Sequence, residues 1–588
     1  MENMRRLTPF LSVSPQISEA DIGTLAARGY RSVINNRPDN EGEGQPSSAV
    51  LEAAAKRLGL GYRHIPVVSG KVTDDDVAAF AAAMAELRGP VLAFCRTGTR
   101  STTLWALNEA PRLDPAVIVG VAADAGYDLN PLRPRLETLW NTGGEFSVST
   151  RATGRPQRPQ RQFDVVIVGG GAAGCAVAAS LLKRRRDVSL AIVEPKEIHY
   201  YQPGWTLVGG GVFDRRATSR PMQECIPKGA QWIKAAIAGF DPAGNAVLLE
   251  DGTPIGYATL IVAPGLELRW DLIEGLQETL GKNGVTSNYQ FDLAPYTWEL
   301  VQSLKGGTAL FTQPPMPIKC AGAPQKAMYL SCHHWERQGI LKNMKVELNN
   351  AGGVLFGVKE YVPALMKYVE RYGAKLAFNS NLKSIDGKTK TAVFEVKNAD
   401  GSVEQVTKNF DMIHVVPPQS APAFIRNSPL ADGAGWVDVD AETLRHKAYG
   451  NVFALGDAGS TPNAKTAAAV RKQAPIVAVN VLAVLDGGNP RAIYDGYGSC
   501  PLTVERGKVV MAEFGYGGKL LPTFPWDSTK PRWSAWFAKV SLLPWLYFDV
   551  MLKGREWLAN PQILPHQPQP HEAAAACVDP NTVKTNRS

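Results

Sequence analysis

The sequence predicts an α/β protein: a small α/β unit first, then a polar linker, then a larger unit of two Rossmann-like domains ending in amphipathic helices. Three observations predict it. The β-branched run Asp164 to Val168 ends in Gly169-Gly170-Gly171 and opens through Gly174 into an Ala-rich stretch, the pattern of strand, tight turn and helix. A second apolar run, Val188 to Val193, ends at Glu194, twenty positions past Gly174. Before residue 140, the apolar run Pro90 to Phe94 delivers Cys95 to the start of another helix.

In chain order, residues 1–140 read as one α/β domain. Tyr30 to Asn35 and Tyr62 to Val68 are strands, and Ser47 to Leu58 is a helix. Asp74 to Leu87 is a helix whose acidic first turn suits the helix dipole. The buried strand Pro90 to Phe94 then leads into Cys95-Arg96-Thr97-Gly98-Thr99-Arg100-Ser101. A cysteine placed there faces backbone N–H groups and both arginines, which favours its thiolate, and the same cradle holds whatever the thiolate attacks.

Loop length separates two chemistries. Arg100 follows Cys95 by five positions, one fewer than in a tyrosine-phosphatase loop. The loop resembles that of rhodanese-type sulfurtransferases, and its tighter ring suits a single sulfane sulfur. The surrounding elements, including Val33 to Pro38, are similar to a dual-specificity-phosphatase-like family. Cys95, Arg96 and Arg100 are therefore read as catalytic, with sulfur transfer favoured over phosphatase chemistry or a degenerate site.

Residues 141–162 are rich in Gly, Ser, Thr, Pro, Gln and Arg, which marks a linker. The larger unit is divided into 163–290, 291–415, 416–525, the amphipathic helices 526–560 and a tail, 561–588. In its first glycine turn, Gly169 permits the sharp bend, Gly171 lets a pyrophosphate approach, and Gly174 lets the helix pack on the strand. Glu194 can accept hydrogen bonds from a ribose. Asn451 to Asp457 is a buried strand ending in Gly456-Asp457, as in flavoproteins with two dinucleotide domains, so the expected cofactor is FAD. Thr259 to Gly265 resembles the strand that closes such FAD sites. A pyridine-nucleotide domain needs a second glycine turn after the strand Thr308 to Thr312. The chain instead reads Gln313-Pro314-Pro315-Met316-Pro317-Ile318-Lys319-Cys320; prolines remove N–H donors and bar a phosphate turn.

Composition narrows the class. With 588 residues the chain has room for three or four domains. A net charge of +8 is mild, and basic residues do not cluster with aromatics until the C-terminus, so a membrane surface fits better than nucleic acid. Seven cysteines do not make a disulfide-rich secreted scaffold. Met1 to Phe10 lacks the apolar stretch of a signal peptide. No run of about 18 uncharged apolar residues is present, so no transmembrane helix is expected; the expectation is peripheral, monotopic attachment on the cytoplasmic side. No metal is expected: in Cys332-His333-His334, adjacent helical residues face different ways.

From about 163 to 560 the chain resembles sulfide:quinone oxidoreductases, in particular the mitochondrial-like class. The segments that carry the resemblance include Tyr201-Gln202-Pro203-Gly204-Trp205, Pro317 to Lys326, Gly435 to Asp440, Lys465 to Val470 and Tyr494 to Leu502. The resemblance implies that Cys320 and Cys500 are a redox pair. Sulfide would attack the bridged pair, Cys500 would keep a persulfide, and Cys320 would pass electrons to FAD and so to quinone. A small thiol or sulfite would then take the sulfane sulfur. It also implies FAD contacts from Gly169, Gly170, Gly171, Gly174, Glu194, Gln202, Ile237, Gly456, Asp457, Lys465, Thr466, Ala467 and Ala468.

Residues 528–558 carry aromatics at helical spacing, Trp533, Trp536, Phe537 and Val540, with Arg532, Lys539, Lys553 and Arg555 beside them. They read as helices lying in the headgroup plane, too broken at Pro544 to span; a face packed on the core or between the subunits of a homodimer is the other reading. Two other functions stay open: an NADH-fed quinone reductase, and a redox protein with tyrosine-phosphatase-like activity at Cys95.

Overall fold

The computed structural model describes residues 4–8, 11–87, 90–110, 115–141 and 161–564. Most of the expected linker, the end of the expected tail and Cys577 lie outside the described residues.

The N-terminal unit is a five-stranded sheet in the order Arg5–Arg6, Leu11–Ser14, Val91–Phe94, Ser32–Asn35, Gly61–His64. Four strands run parallel, and the first pairs antiparallel at the edge. The three inner strands are buried along their whole length, as a parallel sheet covered on both faces requires. Ser47 caps the helix Ser48–Arg57, and Thr73 with Asp76 closes a capping box on Asp74–Glu86. Cys95 follows the central strand, at the carboxyl end where parallel sheets meet ligands.

The larger unit begins with a seven-stranded sheet. Its order is Ala230–Ile233, Leu190–Val193, Arg161–Val168, Pro254–Val262, Ala246–Leu249, Ile237–Asp241, with Val452–Ala454 beside Pro254–Val262. Helices Ala172–Arg184 and Ala467–Leu485 pack on each other and bury one face of this sheet. Both helices begin at the carboxyl ends of parallel strands, so both N-termini open toward one site.

A second sheet is wholly parallel, in the order Val285–Thr286, Met412–His414, Gly307–Gln313, Met344–Asn350, Lys375–Phe378. Its central strand ends in the proline segment, and the next helix, Ala323–Arg337, starts only after Cys320. The hairpin Gly498–Glu505/Lys508–Phe514 packs on that helix. Its inward residues Cys500, Leu502, Val504, Val510 and Ala512 join Phe311, Met328 and Trp335 in one core.

The C-terminal segment departs from the sequence reading. Pro544 does not break it: Trp533–Lys553 is one 21-residue helix, long and apolar enough to cross a membrane by length and composition, and half buried in the protein. π-type turns at Ala538–Leu542 and Leu546–Val550 take up the proline. Ala467–Leu485 meets the same length and composition measure, but it is a core helix of the first sheet.

Two buried histidines predict acid lability. Burial pushes His199 and His414 from 6.5 to about 4. The unfolded chain therefore takes up two protons that the native state refuses until far lower pH. Stability falls as pH drops from about 6.5 toward 4, by up to about 3 kcal/mol for each ring. His414→Gln should flatten the dependence of melting temperature on pH in that window; a slope equal to that of the unsubstituted protein would count against it.

Candidate active site

The glycine turn is tightly packed at Gly169 and Gly174. A side chain on Gly174 would lie 1.8 Å from the Gly169 carbonyl oxygen, and one on Gly169 would lie 2.6 Å from that of Ala263. Gly171, by contrast, faces open space. It starts the helix Ala172–Arg184 with no side-chain cap, so the first N–H groups are free for an anion. Glu194 fastens the turn by accepting the N–H groups of Gly170 and Lys196, both at 2.8 Å.

These groups open onto a cavity of about 360 Å³. Gly171, Glu194, Gln202, Gly456, Asp457, Lys465, Thr466, Ala467 and Ala468 line it. Thr466 caps the second helix through the Ala469 N–H, which leaves those of Ala467 and Ala468 at the cavity wall. Asp457 is raised by burial, against the pull of Lys465 and Lys319. Burial likewise pushes Lys465 down to about 8, and its ammonium is held by the carbonyls of Asp457 and Gly459 at 2.8 and 2.9 Å. The Asn288 amide, the Trp205 indole N–H and the Thr206 hydroxyl also line the cavity and find no partner among the described residues. Buried polar atoms without partners fit a polar ligand. Two helix starts, two acids and these orphaned groups suit a dinucleotide flavin. Ile237 is not among the residues that line this cavity; it belongs to the core of the first sheet with Val193 and Ile233.

Cys320 lies on the same wall, and Cys500 is its hydrogen-bonding neighbour. Cys320 is clamped through its backbone. Its N–H donates to the Lys465 carbonyl at 2.9 Å, and the Tyr289 hydroxyl donates to the carbonyls of Lys319 and Cys320 at 3.0 and 3.4 Å. It adopts φ of 50°, a left-handed conformation unusual outside glycine, just ahead of the helix Ala323–Arg337. Lys326, one turn into that helix, donates to its sulfur at 3.1 Å. The Cys500 hydrogen bond and then Lys326 hold the Cys320 thiol well below the usual range, while Cys320 and burial push Cys500 up. The pair is thus polarised: Lys326 at its sulfur favours the thiolate on Cys320, and Cys500 is the thiol favoured to keep its proton.

Lys539 corrects the sequence reading. It does not flank apolar groups at a headgroup surface; it is buried, and its ammonium donates to the Pro501 carbonyl at 2.9 Å, beside both cysteines. The helix turns Ala535, Ala538 and Lys539 inward. Trp533, Phe537 and Trp545 stand 67%, 53% and 48% exposed. Leu542, Leu543 and Leu546 extend the cavity wall toward that face.

In the N-terminal unit, Cys95 is buried and its sulfur accepts the Gly98 N–H at 3.1 Å. Gly98 has φ of 92°, and a side chain there would strike the Tyr127 hydroxyl. Arg100 is buried and faces the sulfur; Arg96 points to solvent and is not brought to it.

A family model described as pyridine nucleotide-disulphide oxidoreductase matches residues 163–296, and the model of the phosphatase-like domain of beta-lactamase hydrolase-like protein matches residues 3–112. Over 396 residues the chain is 45% identical to the mitochondrial sulfide:quinone oxidoreductase of Dictyostelium discoideum, covering 66% of this chain and 86% of that one. The chain belongs to the sulfide:quinone oxidoreductase family. The solved sulfide:quinone oxidoreductase of Aquifex aeolicus has the same fold, with a TM-score of 0.56 at 18% identity over 67% of this chain and 92% of that one. The N-terminal part is similar to the beta-lactamase hydrolase-like protein of Agrobacterium fabrum, 40% identical over 126 residues, 21% of this chain and 29% of that protein.

As a member of this family the protein is a flavin oxidoreductase, and its cofactor is FAD. Sequence reasoning missed Lys326, Lys539, Tyr289 and Asn288. Lys326 carried a signal, since it follows Cys320 by six positions in a matching segment. Lys539 carried a misleading one, because a lysine among aromatics reads as interfacial until the helix face is known.

Lys326→Met removes the cation nearest Cys320. Because that cation helps hold the thiol low, the variant should form its thiolate about one pH unit or more higher. The pH dependence of Cys320 alkylation in the reduced protein measures this, and an unmoved profile would show that Lys326 does not set the pKa.

Proposed function

We propose that this flavin oxidoreductase oxidises sulfide at the Cys320/Cys500 pair, delivers two electrons through FAD to a membrane quinone, and transfers sulfane sulfur at Cys95. The observation that carries the reading is the polarised thiol pair, with Lys326 on its sulfur, on the wall of the dinucleotide cavity.

In the oxidised form the two sulfurs share a bond. Hydrosulfide attacks Cys500 Sγ, the Cys320–Cys500 bond breaks, and Cys320 leaves as the thiolate that Lys326 stabilises. Cys500 then holds the new sulfur as a persulfide. Burial pushes Lys539 well below an ordinary lysine, which suits it to take the proton of incoming hydrogen sulfide. A small thiolate or sulfite attacks the outer sulfur and leaves Cys500 as the thiolate. FAD, when bound, supplies the acceptor for the electron pair released as the two thiolates rejoin. The exposed aromatics of the Trp533–Lys553 helix, whose Leu542, Leu543 and Leu546 line the cavity, support peripheral attachment and a route for quinone. Feeding by NADH is disfavoured by the prolines at 314, 315 and 317, where a second phosphate turn would stand.

Anaerobic titration with sulfide tests the centre. A long-wavelength charge-transfer band followed by flavin bleaching is expected, and neither should survive Cys320→Ala; bleaching by NADH, or bleaching by sulfide in that variant, would sink the reading. For attachment, the combined change of Trp533, Phe537 and Trp545 to Ser should weaken vesicle binding by at least about tenfold, as sedimentation would record.

A further inference from the structure

The cradle around Cys95 contains a carboxylate that a phosphate-binding loop would exclude. Glu41 accepts two parallel hydrogen bonds from Arg100, both at 2.8 Å, and a third from Arg37 Nε at 2.8 Å. Arg37 and Arg100 are themselves nearly buried, with side chains 9% and 8% exposed. Each makes a further hydrogen bond as well: Arg100 donates to the Val67 carbonyl at 2.6 Å and Arg37 to Gln16 Oε1 at 2.9 Å. The arginine that would grip a doubly charged oxyanion is thus already gripped, in the bidentate geometry that suits it best. With Cys95 as thiolate, the charges of Cys95, Glu41, Arg37 and Arg100 cancel. A single added sulfur preserves that balance, because a persulfide carries the same charge as the thiolate it replaces. A bound dianion would leave two uncompensated negative charges in a buried place.

We propose that Glu41 is a charge filter, and that the Cys95 site takes sulfane sulfur from singly charged low-molecular-weight persulfides while turning away doubly charged donors such as thiosulfate and aryl phosphates. This rests on the reading of Cys95 as a sulfur-transfer site. The donor reacts in its protonated form, R–S–SH + Cys95–S⁻ → R–SH + Cys95–S–S⁻. The thiolate forms a bond to the outer sulfur, the donor S–S bond breaks, the donor leaves as its thiolate and takes up the proton that the outer sulfur gives off, and no net oxidation occurs. Gly98 N–H and Arg100 sit at the attacking sulfur; Glu41 acts through Arg100 and Arg37, and is a specificity residue rather than a catalytic one.

The test uses the full-length holoenzyme with cyanide as acceptor and thiocyanate as readout, taking the Cys95→Ser protein as background. The persulfide of 2-mercaptoethanol and thiosulfate are the two donors. The unsubstituted protein should favour the persulfide in kcat/KM by at least about tenfold. Glu41→Gln should narrow that ratio by about tenfold or more, and Glu41→Asp, which keeps the charge, should restore it. Raising ionic strength should narrow the ratio in the unsubstituted protein, a measurement that needs no variant to fold. Equal use of both donors by the unsubstituted protein, or a ratio that neither salt nor Glu41→Gln moves, overturns the filter alone. Thiocyanate formation that survives Cys95→Ser overturns the sulfur-transfer reading and the filter with it.

Discussion

The packing of the hairpin Gly498–Phe514 on the helix Ala323–Arg337 is the contact on which the rest of the site depends. Cys320 and Cys500 lie 180 positions apart, and nothing local brings them together. Leu502, Val504, Val510 and Ala512 do so by burying one hairpin face in the core that Phe311, Met328 and Trp335 also share. This is hydrophobic burial in the service of register. A strand slipped by one residue would turn Cys500 to the opposite face of the hairpin. Close packing at Gly322, where a side chain would strike Leu502, holds the helix start against that strand.

The electrostatics follow from this placement. Two lysines are buried beside two sulfurs, Lys326 carried there by the helix and Lys539 by the C-terminal segment. Burial alone would penalise each charge. Arranged together, a lysine beside Cys320 favours its thiolate, and the thiolate in turn keeps its neighbour Cys500 protonated. The left-handed backbone at Cys320, pinned by the Lys465 carbonyl and the Tyr289 hydroxyl, fixes where that thiolate sits.

Much of this was legible in the sequence where local rules act alone. The glycine turn at 169–174, the helix start at Ala172, the acid at Glu194 and the Cys95 loop all follow from short spacings with a steric or dipolar reason. The expected strand Pro90 to Phe94 and helices Ser47 to Leu58 and Asp74 to Leu87 lie within a residue of those observed. What failed depends on tertiary context. Pro544 reads as a break, yet π-type turns carry the helix past it. Lys539 reads as interfacial, yet its helix faces the core. Glu41 gave no sign of its tie to Arg100, which lies 59 positions later and meets it only through the fold.

The helix Trp533–Lys553 does two jobs along a single rod. Its outer face offers Trp533, Phe537 and Trp545, while its inner face inserts Lys539 against Pro501 and closes the thiol pocket. Under the attachment proposed above, such a rod is at once anchor and stopper, and cannot be lifted from one role without disturbing the other. Detergents or truncations that peel it away would then unseal the thiol chamber as well as release the enzyme from lipid, and a lesion in anchoring would masquerade as a lesion in chemistry.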